Sequence, residues 1–142
     1  MFTPSNNKIL VSDVMMALGQ FPVIKKTILL KEALEEMEKH SLGIVCIIDN
    51  ENKLCGLLTD GDIRRKLLKV QKPFSAFLVD DAAFHSIIKP VCCKANDSLY
   101  TVISIMDKKK IWDLPVIDND RKLLGLLHLH PAVKALLEKL EE

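Results

Sequence analysis

The stretch Thr59-Asp60-Gly61-Asp62-Ile63-Arg64-Arg65 gathers residue types that can hold a phosphorylated ligand. It follows the apolar run Gly56-Leu57-Leu58, which reads as a strand, and a helix opens near Asp60 or Asp62. A hydroxyl at the strand end can donate to a phosphate oxygen, and the free N–H groups of a helix start point the same way. Gly61 lets the backbone come close. A carboxylate three residues after the threonine can accept from two neighbouring ribose hydroxyls. Arg64 and Arg65 crowd the opening turns, where the helix dipole disfavours cations. A guest anion would offset them, with Lys25 and Lys26 adding charge from an earlier extended stretch. The same residues admit a purely structural reading. Asp60 or Asp62 can serve as an N-cap contributing about 1 kcal/mol, with the arginines solvated or paired to them.

Other chemistry-bearing residues form no constellation of comparable specificity. His128 and His130 make an H-x-H on a strand end, which places both on one face. They are weak metal candidates, because no third ligand has convincing spacing. His40 and His85 read as surface or helix-end residues. Cys46 and Cys55 lie in apolar runs and read as buried thiols in a reducing cytoplasm; adjacent Cys92 and Cys93 read as part of a packed strand. There is no G-x-S-x-G, H-E-x-x-H or Walker loop, so no catalytic residues are assigned and the chain is not expected to be an enzyme.

The totals set bounds. The chain has 142 residues, 49% hydrophobic and 27% charged, with a formal charge of +1. That is enough for one domain or two small ones. The near-neutral balance argues against nucleic acid as a partner. No apolar run reaches the roughly 18–20 residues of a membrane span, and the start MFTPSNNK has no signal-peptide core.

The elements that position the candidate residues come in two copies. A shift of 69 positions lays Ile48–Leu58 on Ile117–Leu127, with eight of eleven positions identical. Upstream, Leu30, Ala33, Leu34 and Met37 fall on Leu99, Val102, Ile103 and Met106. Both sets have the i, i+3, i+4, i+7 spacing of a helix stripe. Each copy therefore reads as an extended stretch (22–25; 90–93), a helix (29–40; 98–110), a hairpin and a closing helix (62–70; 131–141). Ser98 or Asp97 can cap the second copy's first helix. Asn is expected to supply positive φ in the hairpin turns, and Pro131 suits a first helical position. The expected domains are 8–70 and 82–142, joined by a linker at 71–81 partly packed through Phe74 and Phe77. The fold class is α+β, with two β-α-β-β-α repeats packed about a pseudo-twofold axis. Clefts at such an interface are favoured ligand sites.

This repeat, with Gly56-Leu57-Leu58-Thr59-Asp60-Gly61-Asp62 and Leu114-Pro115-Val116, resembles the tandem CBS domain pair, or Bateman module. Val11–Met15, Pro22–Lys26, Thr59–Arg65 and Gly125–His130 resemble the C-terminal CBS pair of D-arabinose 5-phosphate isomerases. In those enzymes a sugar-isomerase domain precedes the pair; here the likeness starts near Lys8. The resemblance implies a cytoplasmic regulatory module that controls such an isomerase in lipopolysaccharide (Kdo) synthesis. It implies an adenine nucleotide or a CMP-sugar as effector, no cofactor, and a homodimer. Thr59 and Asp62 would contact phosphate and ribose, and Leu42, Gly43 and Ile44 would wall the base. In the second copy Thr59 aligns with His128, Asp62 with Pro131 and Gly43 with Trp112, so that copy lacks the ribose hook. Trp112 would fill the second cleft or pack in a core or interface. The alternatives are a pure assembly module, or the CBS tail of a sugar nucleotidyltransferase, where Thr59–Arg65 also has counterparts.

Overall fold

A computed structural model describes residues 8–141. The elements in chain order are β1 (Met16–Ala17), β2 (Val23–Lys25), α1 (Leu30–His40), β3 (Ile44–Ile48), β4 (Leu54–Thr59), α2 (Asp60–Lys69), α3 (Phe74–Leu78), α4 (Leu99–Lys109), β5 (Asp113–Ile117), β6 (Leu123–His128) and α5 (Leu129–Leu140). The chain is a mixed helix and sheet fold with two repeats of similar topology. It divides into a central unit, Gly19–Pro90, and a terminal unit built from residues up to Leu18 and from Val91 onward.

In the central unit, β2 runs parallel to β3, and β3 and β4 form an antiparallel hairpin. The stripe Leu30, Ala33 and Met37 of α1 packs on Val45, Ile47 and Leu58. The terminal unit repeats this plan. Its hairpin is β5–β6, and Leu99, Val102 and Met106 of α4 pack on Leu114, Val116 and Leu127. The extended stretch at 90–93 is reduced to one parallel bridge, Cys93 to Val116.

Helix ends match across the copies. α1 stops at Ser41 (φ 54°) and α4 at Lys110 (φ 57°), with Leu42 N donating to Met37 O and Ile111 N to Met106 O, both at 3.0 Å. These bonds satisfy carbonyls that the helix leaves open. Ser98 occupies the N-cap position of α4 but its hydroxyl makes no capping bond; Asp97 instead accepts from Lys94 N at 2.9 Å. α2 and α5 begin earlier than expected, at Asp60 and Leu129, which puts Pro131 third in its helix. That position still lies in the first turn, where a missing N–H removes no intrahelical bond.

An aspartate closes each hairpin. Asp49 Oδ1 accepts from Glu51 N (2.8 Å) and Lys53 N (3.0 Å), and Asp118 Oδ1 accepts from Asp120 N (2.8 Å) and Lys122 N (2.9 Å). Those bonds, that from Lys53 foremost, hold the Asp49 carboxyl below its ordinary range. Positive φ falls on Asn52 as expected, but in the second turn it falls on Arg121 and not on Asn119. The clamp fixes the loop geometry, and the residue directly before the closing lysine must adopt it whatever its type.

The compact units cut the chain differently from the sequence repeats. Residues 8–18 head the first copy, yet they pack with the second copy's strands. Val11 N donates to Asp97 O (3.0 Å), and β1 pairs with β6. Reciprocally, Asp80 O accepts from Leu30 N (2.8 Å), and Leu57 and Ile87 exchange two backbone bonds. The stretch 71–81 holds α3, and Phe77, 1% exposed, sits in the central core. His85 is likewise buried and not a surface residue. It lies against Phe77 (ring centroids 4.3 Å apart), with Nε2 2.8 Å from Asp80 Oδ2. Cys55 is half-buried, whereas Cys46 is fully buried.

Candidate functional site

The β4–α2 corner positions Thr59 and Asp62. Thr59 leaves the strand with φ −119° and ψ 163° and is the N-cap of α2. Its Oγ1 accepts from Asp62 N (3.2 Å), and Asp62 Oδ2 accepts from Thr59 N (3.1 Å) and Thr59 Oγ1 (2.9 Å). This is a capping box, which satisfies the first open donors of the helix. Arg65 completes it by donating to Asp62 Oδ1 at 2.8 Å. A Cβ on Gly61 would lie 3.1 Å from the Arg65 guanidinium, so the glycine gives that side chain room to fold back over the first turn.

One of the cations at the start of α2 is therefore offset within the protein. Arg65 is paired with Asp62; Arg64 is exposed and makes no ion pair among the described residues. Lys25 and Lys26 are not brought to this corner. Lys25 pairs with Ile48 while Thr59 pairs with Ile44, at the other end of β3. At about 3.3 Å per residue that separates them by roughly 13 Å. Lys25 Nζ instead donates to Asp49 O (3.3 Å) at the hairpin.

Beside the corner lies an open concavity of about 420 Å³. Leu34, Met37 and Leu42 supply apolar wall; Glu38, Ser41 and Asp60 supply polar atoms; Gly43 forms part of the floor. Leu42 and Gly43 thus sit where a base wall is expected, while Ile44 is buried in the sheet. Asp60, Glu38 and Ser41 were not among the residues expected to line a site. The sequence carries one signal for them: Ser41 ends α1 directly before Leu42, and Asp60 directly follows the capping threonine. Asp60 N donates to Gly43 O at 3.0 Å, and a Cβ at Gly43 would lie 2.3 Å from Asp60 Oδ2.

The matching corner of the terminal unit keeps the backbone and changes the side chains. Leu129 N donates to Trp112 O at 2.8 Å, and His128 is the N-cap of α5 without a side-chain capping bond. His128 Nδ1 lies 2.7 Å from Asp113 Oδ1. Burial pushes the Asp113 carboxyl up, opposed by that hydrogen bond. Trp112 is 69% exposed and fills no core. β6 ends at His128, and His130 belongs to α5, so strand alternation does not put the two rings on one face. No group of three or more metal-ligating side chains occurs among the described residues.

With two such hairpin-and-corner units in place, the sequence profile of the CBS domain matches residues 11–69 and 84–138. The chain belongs to the CBS domain family. Arabinose 5-phosphate isomerase KdsD of Escherichia coli (strain K12) is 30% identical over 128 residues, covering 88% of this chain and 37% of that protein. An uncharacterized protein of Helicobacter pylori (strain ATCC 700392 / 26695) is 33% identical over 121 residues, covering 84% and 35%. The chain thus spans little more than a third of these relatives. CBSX2, crystallised in complex with AMP, superposes with a TM-score of 0.80 at 25% identity, covering 92% of this chain and 97% of that one. This CBS pair has no helix among its described residues long and apolar enough to cross a membrane.

Proposed function

We propose that this CBS pair is the regulatory part of a sugar-phosphate isomerase of the arabinose 5-phosphate type. It binds a nucleotide or nucleotide sugar beside the β4–α2 corner and performs no catalysis of its own. The observation that carries the reading is the junction of the Thr59–Asp62–Arg65 corner with the apolar-walled concavity at Leu42 and Gly43. AMP bound to CBSX2 supports an adenine nucleotide as effector. The likeness to arabinose 5-phosphate isomerase KdsD supports an isomerase partner domain, a cytoplasmic setting and, by pathway logic, a CMP-sugar as the alternative ligand.

The corner as it stands engages its own polar groups. Asp62 Oδ2 already accepts two bonds, and Oδ1 accepts from an arginine that is half exposed. Binding exchanges partners. Arg65 swings to the ligand phosphate, joined by exposed Arg64, and Asp62 Oδ1 takes the ribose hydroxyls. The charge-assisted bonds are traded, not lost. Regulation follows if the ligand favours one of two arrangements of the attached enzyme.

A second role, assembly, is favoured by exposed apolar side chains at matching places on α2 and α5. Leu67 and Leu68 correspond to Leu136 and Leu137, and Leu68 and Leu137 are well exposed. A homodimer burying these faces is compatible with ligand binding.

Titration calorimetry with AMP, ADP, ATP and a CMP-sugar tests the reading. Wild type is expected to bind at least one of them. Asp62→Ala should weaken that binding at least tenfold, a loss of about 1.4 kcal/mol, while Pro131→Ala should leave it unchanged. Equal binding by Asp62→Ala refutes the ribose assignment, and no binding by wild type leaves assembly as the function.

A further inference from the structure

Of the two aspartates that open α2, Asp60 and not Asp62 lines the concavity. Asp62 is spent on the capping box and on Arg65, whereas Asp60 makes no side-chain hydrogen bond or ion pair among the described residues. Its Oδ2 lies against the α-carbon of Gly43, where any larger residue would collide with it at 2.3 Å. The backbone places the residue there, since Asp60 N is tied to Gly43 O.

The second copy serves as an internal control. The same backbone bond recurs between Leu129 and Trp112. Glycine has become tryptophan and aspartate has become leucine, together. A glycine that merely eased the helix-to-strand turn would be needed in both copies, and one copy makes the turn with the bulkiest residue. Gly43 is therefore explained by what it admits, which is the Asp60 carboxylate at the mouth of the concavity.

A carboxylate at that place is an acceptor only, and it repels anions and carbonyl oxygens. With Glu38 on the same lining, no cationic side chain there, and Leu34, Met37 and Leu42 as walls, this part of the site suits a flat apolar group that carries a donor. From this we infer that Asp60 is the specificity-determining residue of the site and selects bases bearing an exocyclic amino group. It accepts a hydrogen bond from that amino group while the phosphate lies on the Arg64 and Arg65 side. The inference rests on the nucleotide-binding reading above and narrows it to ligands whose base carries an amino group, adenine, cytosine or guanine, against uracil and hypoxanthine.

Two matched pairs differ only in that amino group: AMP against purine riboside 5′-monophosphate, and CMP against its 4-unsubstituted pyrimidin-2-one analogue. Calorimetry on wild type should favour the amino-bearing member of whichever pair binds by at least tenfold. Asp60→Ala, an exposed first-turn substitution, should shrink that preference to twofold or less. Gly43→Ala, which displaces the carboxylate, should shrink it similarly, and thermal melting checks that both variants are folded. Equal affinity for the two members in wild type, an unchanged ratio in Asp60→Ala, or an equal weakening of both members overturns the inference and leaves nucleotide binding standing. Failure of all four, together with ADP, ATP and the CMP-sugar, overturns both.

Discussion

Gly56 and Gly125 occupy the same place in the two copies, yet alanine should be tolerated at only one of them. Both glycines have backbone angles open to any residue, so space decides. An added Cβ at Gly125 would sit 2.6 Å from Met16 O, a backbone atom of β1, where ordinary contact begins near 3.4 Å. β1 would have to retreat by roughly 0.8 Å, enough to stretch ladder bonds beyond their useful range of about 3.2 Å. β1 meets β6 at two registers, Met16 with Leu126 and Ala17 with Gly125. Losing bonds worth about 0.5–1.5 kcal/mol each costs about 1–3 kcal/mol. The stiffer unfolded chain of the alanine variant returns about 0.4–1 kcal/mol. At Gly56 the Cβ meets Ser86 Oγ at 2.5 Å, and a hydroxyl can rotate away. That rotation forfeits its bond to Ala83 O (2.7 Å), about 1 kcal/mol, which the same chain effect largely offsets. Urea unfolding should therefore place Gly125→Ala about 1–2 kcal/mol below wild type and Gly56→Ala within about 0.5 kcal/mol of it. Equal midpoints for the two variants would show that the leading segments are not held against the hairpins as argued.

Phe77→Ala should cost about 3–5 kcal/mol in the same assay, because Phe77 packs in the central core; a loss under about 1 kcal/mol would refute that packing. The raised Asp113 carboxyl gives a pH signature. A group whose folded pKa lies above its unfolded value stabilises the fold fully below the unfolded pKa, 3.8, and loses that contribution as pH rises through the folded pKa. Stability of wild type relative to Asp113→Asn should thus increase as pH falls from 7 towards 4; a difference independent of pH refutes the assignment. Burial pushes the Cys93 thiol up to about 12 and raises Cys55 less far. Iodoacetamide at pH 8 should leave Cys93 unmodified in the native protein while Cys55 reacts slowly, as read by peptide mass spectrometry; equal rates refute it.

The periodic features were open to sequence reading. Leu30, Ala33 and Met37 face the core because helix spacing requires it, and the hairpins follow from their alternation and turn residues. What escaped were choices between equivalent partners. Two similar hairpins offer two docking places for each leading segment, and no periodicity tells Met16 which of them to join. His85 escaped for a related reason, since its burial comes from the docked segment around it. At the site, the i, i+3 spacing put Thr59, Asp62 and Arg65 within reach of one another. Whether such groups await a guest or satisfy each other depends on rotamers, and here they satisfy each other. Lys25 and Lys26 missed the corner because strand register, not proximity in the repeat, sets their distance.

The two corners separate scaffold from chemistry. Both keep a backbone bond from the second helical unit to the turn before the strand, both begin a helix directly at the strand end, and both end the preceding helix with a left-handed residue. None of these features needs a particular side chain, which is why Trp112, His128, Leu129 and Pro131 are tolerated where Gly43, Thr59, Asp60 and Asp62 stand in the other copy. A repeat retained only to fill space would be expected to drift at all positions alike. Here Ile48–Leu58 and Ile117–Leu127 share eight of eleven residues, while all four corner residues differ. The terminal corner has exchanged a carboxylate-lined concavity for an exposed indole and a histidine bonded to a buried aspartate. On the proposed function one copy holds the nucleotide, and exchanging Gly43 and Asp60 for the terminal pair, Gly43→Trp with Asp60→Leu, should abolish calorimetric binding while leaving the melting transition intact; unchanged affinity refutes that placement.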